Sequence, residues 1–178
     1  MRTPLVGALL ALAVALVLTT AAVADSGDTT LSTASTPKNQ WSTINICDTD
    51  KHPDQLGIRA RMPALARGVK MKMRFFVQYM KNGAWVALPT SDGGTTMSDW
   101  IVAGTGMHKW EELGRTFHIT DLRPGDQYRM RGLVKFQWRR DGKVVKRAHA
   151  YTTGGHHQYD YGDPRGYSAA TCSVSGSV

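Results

Sequence analysis

The chain has 178 residues, of which 42% are hydrophobic and 20% are charged, and its formal net charge is +8 at pH 7. This length provides one domain with a sizeable core but is short for two domains, and the positive balance favours anionic partners without specifying a fold. The 18 glycines, the frequent turn signals and the scarcity of helix-like periodic segments argue against a mainly helical chain and favour an all-β domain.

The first 24 residues have the features of a secretory signal peptide. Arg2 gives a positive start, residues 5–18 are apolar apart from one glycine, and the small residues Ala22 and Ala24 form a cleavage site. The competing interpretation is an uncleaved membrane anchor, since residues 5–24 nearly reach spanning length. Because the apolar run is short and no positive flank follows it, we predict a secreted, extracellular chain whose mature form has no transmembrane segment.

Residues 25–40 are rich in serine and threonine and nearly lack large apolar side chains. Such a segment cannot bury enough surface to become ordered, so it is predicted to be a disordered linker. The folded domain is then expected to span residues 41–178.

The chain has two cysteines, Cys47 and Cys172. An even number of cysteines in an exported chain predicts one disulfide bond, which would join the first strand of the domain to the last. The alternative, a reactive thiol, is not favoured, because neither cysteine has a second cysteine near it in sequence.

Alternation of apolar and polar residues predicts a series of β-strands. The clearest strand spans residues 69–80, and Asn82-Gly83 after it is the strongest two-residue hairpin signal, with a partner strand at 84–88. Asp141-Gly142 is a second hairpin turn. The other strands are expected at 41–46, 56–62, 99–103, 116–122, 128–139, 143–152 and 167–174.

A specific motif precedes the long strand at 128–139. Leu122, Pro124, Gly125 and Tyr128 match a Leu-x-Pro-Gly-x-x-Tyr pattern in which proline and glycine turn the chain. The segment resembles the corner between the fifth and sixth strands of fibronectin type III and other immunoglobulin-like domains. The resemblance implies an immunoglobulin-like sandwich of two antiparallel sheets. It also implies a tyrosine corner, in which the Tyr128 hydroxyl bonds to the backbone near Leu122.

Cationic side chains alternate with apolar residues on the two longest strands. The resemblance implies that the strands at 69–80, 128–139 and 143–152 are neighbours in one sheet, which would place these cations on a single outward surface. Two interpretations remain open: a solvated face that aids solubility and blocks edge pairing, or a site for an anionic partner. The residues are Lys70, Lys72, Arg74, Arg129, Arg131, Lys135 and Arg139, with Arg147 and His149 as additions.

The loop at 154–166 contains the candidates for a metal site, because imidazole and carboxylate groups suit divalent ions. These candidates are His156, His157, Asp160 and Asp163. Adjacent histidines seldom bind one ion together, so neither a metal nor another cofactor is predicted. The loop also has the composition of antibody binding loops, and a plain connection fits it equally well. The tyrosines concerned are Tyr159, Tyr161 and Tyr167.

The sequence contains no catalytic motif, such as a nucleophile elbow or a phosphate-binding glycine loop. We therefore predict a secreted, non-enzymatic binding or structural module that meets an anionic polysaccharide, cell-wall polymer or lipid surface, while a protein partner stays open. Nucleic acid is not expected, because Phe76 is the one aromatic residue among the outward cations of the two main strands. The alternative is a small secreted hydrolase assisted by a metal ion in loop 154–166.

Overall fold

The computed structural model describes residues 39–120, 122–157 and 161–176. The predicted signal peptide, nearly all of the predicted linker and Asp160 lie outside these ranges. Within them the chain forms strands, turns and loops, and these ranges contain no helix long and apolar enough to cross a bilayer.

In the described residues, nine strands form two antiparallel sheets, in agreement with the all-β prediction. The small sheet has the order β1-β2-β6, and the large sheet has the order β4-β3-β7-β8, with β5 paired to β3 and β9 paired to β7. The strands are β1 (Trp41–Thr49), β2 (His52–Pro63), β3 (Lys70–Lys81), β4 (Ala84–Ala87), β5 (Ile101–Gly104), β6 (Trp110–His118), β7 (Gln127–Arg140), β8 (Lys143–Tyr151) and β9 (Cys172–Ser175).

The two predicted hairpins have the backbone conformation that their sequences favour. Asn82 and Gly83 have φ values of 49° and 80°, and Asp141 and Gly142 have φ values of 48° and 75°. Two successive positive φ values are typical of the turn that matches the twist of a two-residue hairpin. These turns therefore fix the register of β3 against β4 and of β7 against β8.

The core lies between the sheets and is built from the alternate residues that the strand pattern placed inward. Phe75 and Phe136 of the large sheet and Ile58 of the small sheet are at most 1% exposed. Trp138 is fully buried, and its indole N–H donates a hydrogen bond of 2.8 Å to the carbonyl of Pro63. The polar edge of the largest core side chain is therefore satisfied at the contact between the sheets.

A disulfide bond joins Cys47 of β1 to Cys172 of β9, with a Cα–Cα distance of 5.6 Å. This confirms the predicted pairing. Since β1 belongs to the small sheet and β9 to the large one, the bond covalently links the two sheets near the ends of the domain.

The segment after β8 returns along the outer edge of β1. Ile44 and Ala169 exchange two backbone hydrogen bonds of 2.9 and 3.0 Å, and Thr153 donates one of 2.8 Å to Ser42. This pairing closes the small sheet on the side away from β2 and determines where the residues of loop 154–166 lie.

Candidate functional site

Charge is distributed very unevenly between the two sheets. Twelve lysines and arginines lie in three strands of the large sheet, four in β3, five in β7 and three in β8. None of the six strands of that sheet contains an aspartate or glutamate. The 14 acidic residues of the chain all lie elsewhere, four of them in strands of the small sheet.

Strand register brings the predicted cations together on the outer surface of the large sheet. Lys70 is paired with Arg139, and Arg74 is paired with Lys135, which is itself paired with His149 of β8. Lys72 and Arg147 flank Gln137 in the row between these pairs. We call this surface the basic face; it consists of Lys70, Lys72, Arg74, Arg129, Arg131, Lys135, Arg139, Arg147 and His149.

An apolar row crosses the basic face and divides it into two parts. Phe76 of β3, Leu133 of β7 and Tyr151 of β8 are paired across the sheet in this row. The guanidinium of Arg74 lies 5.7 Å from the centre of the Phe76 ring, and the Lys135 ammonium lies 4.8 Å from it. Cations on one side of the row therefore rest against its aromatic ring.

On the other side of the row, two arginines lie beside aromatic rings. The guanidinium of Arg131 lies 3.9 Å from the centre of the Tyr151 ring and 4.5 Å from that of Trp85. The guanidinium of Arg129 lies 5.9 Å from the same Trp85 ring. Guanidinium groups stack well on aromatic faces and keep their in-plane N–H donors free to meet a carboxylate, sulfate or phosphate.

The arginines of the basic face are positioned by neutral acceptors. Arg74 Nε donates to the carbonyl of Ser98 at 2.9 Å, and Arg131 Nε donates to Gln78 Oε1 at the same distance. Arg139 Nη1 donates to Gln137 Oε1 at 3.2 Å. In the described part of the chain, the ion pairs are all on the small sheet or beside it. The contacts therefore fix the guanidinium groups without neutralising their charge.

The guanidinium of Arg131 is partly buried, and this burial affects its pKa. Burial lowers the pKa of its guanidinium, and the neighbouring Tyr151 opposes that shift. Because an arginine side chain loses its proton only in strongly basic solution, Arg131 stays charged at neutral pH. A partly desolvated cation interacts more strongly with an anion than a fully solvated one does.

Two aromatic residues that flank the basic face were not predicted from the sequence. Phe76 of β3 was expected on this surface, whereas Trp85 of β4 and Tyr151 of β8 were not. Both belong to strands next to the two long ones, and their position depends on the register of β4 and β8. The Asn82-Gly83 hairpin was the available signal for Trp85, because it sets that tryptophan opposite Met80.

The predicted tyrosine corner has a different geometry in the structure. Tyr128 is partly buried, and its hydroxyl donates a hydrogen bond of 3.1 Å to the carboxylate of Asp126. The expected partner was the backbone near Leu122, which itself packs against the core. Pro124 and Gly125 do form a turn before β7, and Gly125 has a φ of 80°. The motif therefore makes the turn, whereas the tyrosine hydroxyl bonds within the turn itself.

The metal candidates that the structure describes are held by separate partners. His156 stacks on Trp41 with 4.3 Å between ring centres, His157 Nδ1 lies 2.9 Å from the carbonyl oxygen of Gly166, and Asp163 accepts a hydrogen bond from the Thr49 hydroxyl. Asp160 lies outside the described residues. Among those described, no three histidine, cysteine, aspartate or glutamate side chains are grouped so that they would hold a metal ion.

The tyrosines of the loop do not form a common surface in the described residues. Tyr161 is 74% exposed and lies beside Arg59, whose guanidinium is 4.6 Å from its ring centre. Tyr167 packs against the core instead, and Tyr159 lies outside the described residues. The composition of the loop therefore did not indicate which of its aromatic residues are exposed.

No protein-family model matches this chain, and no curated protein or solved structure matches it significantly. The function is therefore inferred from the geometry and charge of the domain.

Proposed function

We propose that this chain is a secreted, non-enzymatic binding module with an immunoglobulin-like, fibronectin type III-like fold. The strand distribution supports this fold. The first, second and sixth strands share one sheet, while the third, seventh and eighth are neighbours in the other. Strands A, B and E and strands C, F and G are divided in the same way in immunoglobulin-like sandwiches. A disulfide bond is typical of exported proteins and supports secretion.

The proposed ligand is a linear polyanion, such as an acidic polysaccharide or an anionic cell-wall polymer, that lies along β7. Rows of outward side chains repeat about every 6.7 Å along a strand, so the distance from Arg129 to Arg139 is about 33 Å. Cations recur along most of this length on β7 and the neighbouring β3. A chain with regularly spaced carboxylate, sulfate or phosphate groups matches this arrangement.

One observation carries the proposal: the charged side chains of the basic face are all cations, and several of them are held in place by hydrogen bonds. A face that only serves solubility usually has both signs interspersed. Here Lys70 and Arg139 are direct neighbours, as are Arg74 and Lys135, and like charges directly opposite one another destabilise a sheet. An anionic ligand relieves this repulsion, and the arginines that would receive it are already held in place by Ser98 and Gln78.

The experiment compares two triple variants that remove the same amount of charge. Arg74, Arg129 and Arg131 are changed to glutamine in the face variant. Lys51, Arg115 and Arg123, which are exposed and off the large sheet, are changed to glutamine in the control variant. Affinity for soluble dextran sulfate is measured by calorimetry at several salt concentrations. We expect the face variant to lose about tenfold or more in affinity and to show a weaker salt dependence, because the summed field of the face is reduced.

Equal losses in the two variants would contradict the proposal, because net charge alone would then explain binding. Competition with a single-stranded oligonucleotide provides a second readout. The guanidinium of Arg131 already lies on the rings of Trp85 and Tyr151, so we expect the oligonucleotide to compete less well than the sulfated polysaccharide. A clear preference for the oligonucleotide would assign the face to nucleic acid instead.

A further inference from the structure

Two loops pair with each other at one end of the domain. They are residues 64–69, between β2 and β3, and residues 105–109, between β5 and β6. Ala64 donates a backbone hydrogen bond of 3.0 Å to Lys109, and Gly68 donates one of 2.9 Å to Thr105. At Gly106 the loops are so close that a Cβ atom would lie 2.2 Å from the carbonyl oxygen of Ala66. We refer to residues 64–69 and 105–110 as the loop pair.

The loop pair exposes large apolar side chains. Leu65 is 45% exposed, Met107 is 59% exposed, and Trp110, which begins β6, is 39% exposed. Val102 of the adjoining β5 is 49% exposed. These four residues are half of the eight large hydrophobic side chains that are exposed in the described part of the chain. Single exposed apolar residues are ordinary, but their concentration at one end indicates an interaction surface.

Cationic side chains surround these apolar residues. Arg67 and Lys109 belong to the loops, Lys70 begins β3 directly after them, and all three are exposed. The nearby acidic residue Glu111 is engaged with His108, whose Nδ1 lies 3.1 Å from its carboxylate. The end of the domain therefore combines apolar tips with a surrounding positive charge.

The first strand, β1, begins at this same end of the domain. Trp41, the first residue of β1, is paired with Arg61 of β2, two residues before β2 ends at Pro63. Pro63 is in turn paired with Trp110. The chain therefore enters β1 at the end that carries the loop pair.

We propose that the loop pair docks the domain onto the surface of an anionic lipid bilayer. Leu65 and Met107 would enter the boundary between headgroups and acyl chains, with Trp110 at the interface that tryptophan prefers. Arg67, Lys109 and Lys70 would meet the anionic headgroups. Apart from Lys70, this site shares no residue with the basic face, and it needs no polymer, so it goes beyond the function proposed above.

Charge complementarity favours a lipid surface over a second copy of the chain. A two-fold dimer through the loop pair would use the same patch on both copies. It would bring Arg67 and Lys109 of one copy against the same cations of the other, which is repulsive. An anionic bilayer offers the opposite charge together with an apolar interior.

The first experiment measures co-sedimentation of the full chain with vesicles of phosphatidylcholine alone or mixed with phosphatidylglycerol. We expect binding to the mixed vesicles and a loss of about tenfold in the double variant Leu65→Ser/Met107→Ser, in line with the transfer free energies of two partly exposed apolar side chains. Met97→Ser is the matched control, because Met97 is 42% exposed but lies in the loop beside Phe76. A second pair, Lys109→Gln and Lys51→Gln, compares equal charge changes at the docking end and in the β1–β2 turn.

The second experiment locates the contact on the protein. Vesicles with lipids brominated near the headgroup should quench part of the tryptophan fluorescence, and Trp110→Phe should remove the quenched part. This readout is specific for the loop pair even if the apolar sequence at 5–18 binds lipid by itself. Quenching that is unchanged in Leu65→Ser/Met107→Ser or in Trp110→Phe would overturn the proposal. So would a lipid-free dimer that the Leu65→Ser/Met107→Ser variant dissociates, because the loop pair would then be an interface between two copies.

Discussion

The imidazole ring of His156 is stacked on the indole ring of Trp41, with 4.3 Å between the ring centres and 14° between the planes. Burial, and after it the positive charges of Arg61 and His157, lower the pKa of His156 below its usual 6.5. The stack fixes the loop after β8 against the first residue of β1 and contains a group that resists protonation.

This relationship predicts a loss of stability in mild acid. The unfolded chain protonates His156 near pH 6.5, whereas the folded chain does so only at lower pH. Its contribution to stability is therefore complete above pH 6.5 and decreases as the pH falls towards the lowered pKa. His156→Phe, which retains a flat ring, should make the urea midpoint less dependent on pH between 5 and 8. A pH dependence in His156→Phe that equals that of the unaltered chain would contradict the prediction.

A second prediction concerns Glu112, whose carboxylate lies between two arginines. Its oxygens are 2.6 Å from Arg59 Nη2 and 2.5 Å from Arg61 Nη2, and these three side chains are between 12% and 17% exposed. Glu112→Gln leaves two neighbouring guanidinium groups without the anion between them, so we expect a loss of about 2 kcal/mol or more in unfolding free energy. Glu111→Gln is the control, because its partner His108 is 77% exposed and a loss below about 1 kcal/mol is expected. Equal losses in denaturant titrations would contradict the prediction.

A third prediction concerns Gly132 in the middle of β7, where the surrounding side chains leave no room for a Cβ atom. A Cβ atom there would lie 2.7 Å from Thr152 Cγ2 and 2.8 Å from Ile58 Cδ1, and the Gly132 N–H donates to the Thr152 hydroxyl. Gly132→Ala should therefore cost about 1–3 kcal/mol of stability through overpacking. Gly114→Ala provides a comparison, because the nearest atom to its new Cβ would be the Ile58 carbonyl oxygen at 3.5 Å, an ordinary contact. Thermal unfolding of both variants tests the difference, and an unaffected Gly132→Ala domain would refute it.

The fourth prediction concerns the Tyr128 hydroxyl. Its removal should reduce stability less than it would in a tyrosine corner. Its hydrogen bond goes to the exposed carboxylate of Asp126, which water can replace. Tyr128→Phe should therefore change the unfolding free energy by less than about 0.5 kcal/mol. A loss of about 1 kcal/mol or more in a urea titration would instead indicate a buried bond to the backbone, as the family resemblance implies.

The parts of the fold that could be predicted from the sequence are those set by local chemistry. The alternation in β3 and β7 identified the inward residues, because a shift of one residue would bury the cations that these strands contribute to the basic face. The Asn-Gly and Asp-Gly turns identified two hairpins because few other sequences adopt positive φ twice in succession. The disulfide bond could be predicted because the chain has two cysteines, at opposite ends of the domain.

The rest depended on contacts between distant segments. β6 was expected at 116–122 but spans Trp110–His118, because its residues pair with β2 over nearly its whole length. β9 was expected at 167–174 but spans Cys172–Ser175, since the residues before it pair with β1 instead. The aromatic rings beside Arg131 come from β4 and β8, so no local pattern could have placed them next to that arginine. For the same reason, the partners of His156 and Asp163 were not evident.

The unequal charges of the two sheets give the molecule a permanent electric dipole across its thickness. The strands of the small sheet contain four acidic residues and three arginines, whereas those of the large sheet contain twelve cations and no acid. A negatively charged surface would rotate such a molecule during its approach, before any contact forms, and a field of this kind raises association rates by roughly 10- to 1,000-fold. The asymmetry therefore favours fast, oriented capture from dilute solution, at a rate that decreases as ionic strength rises.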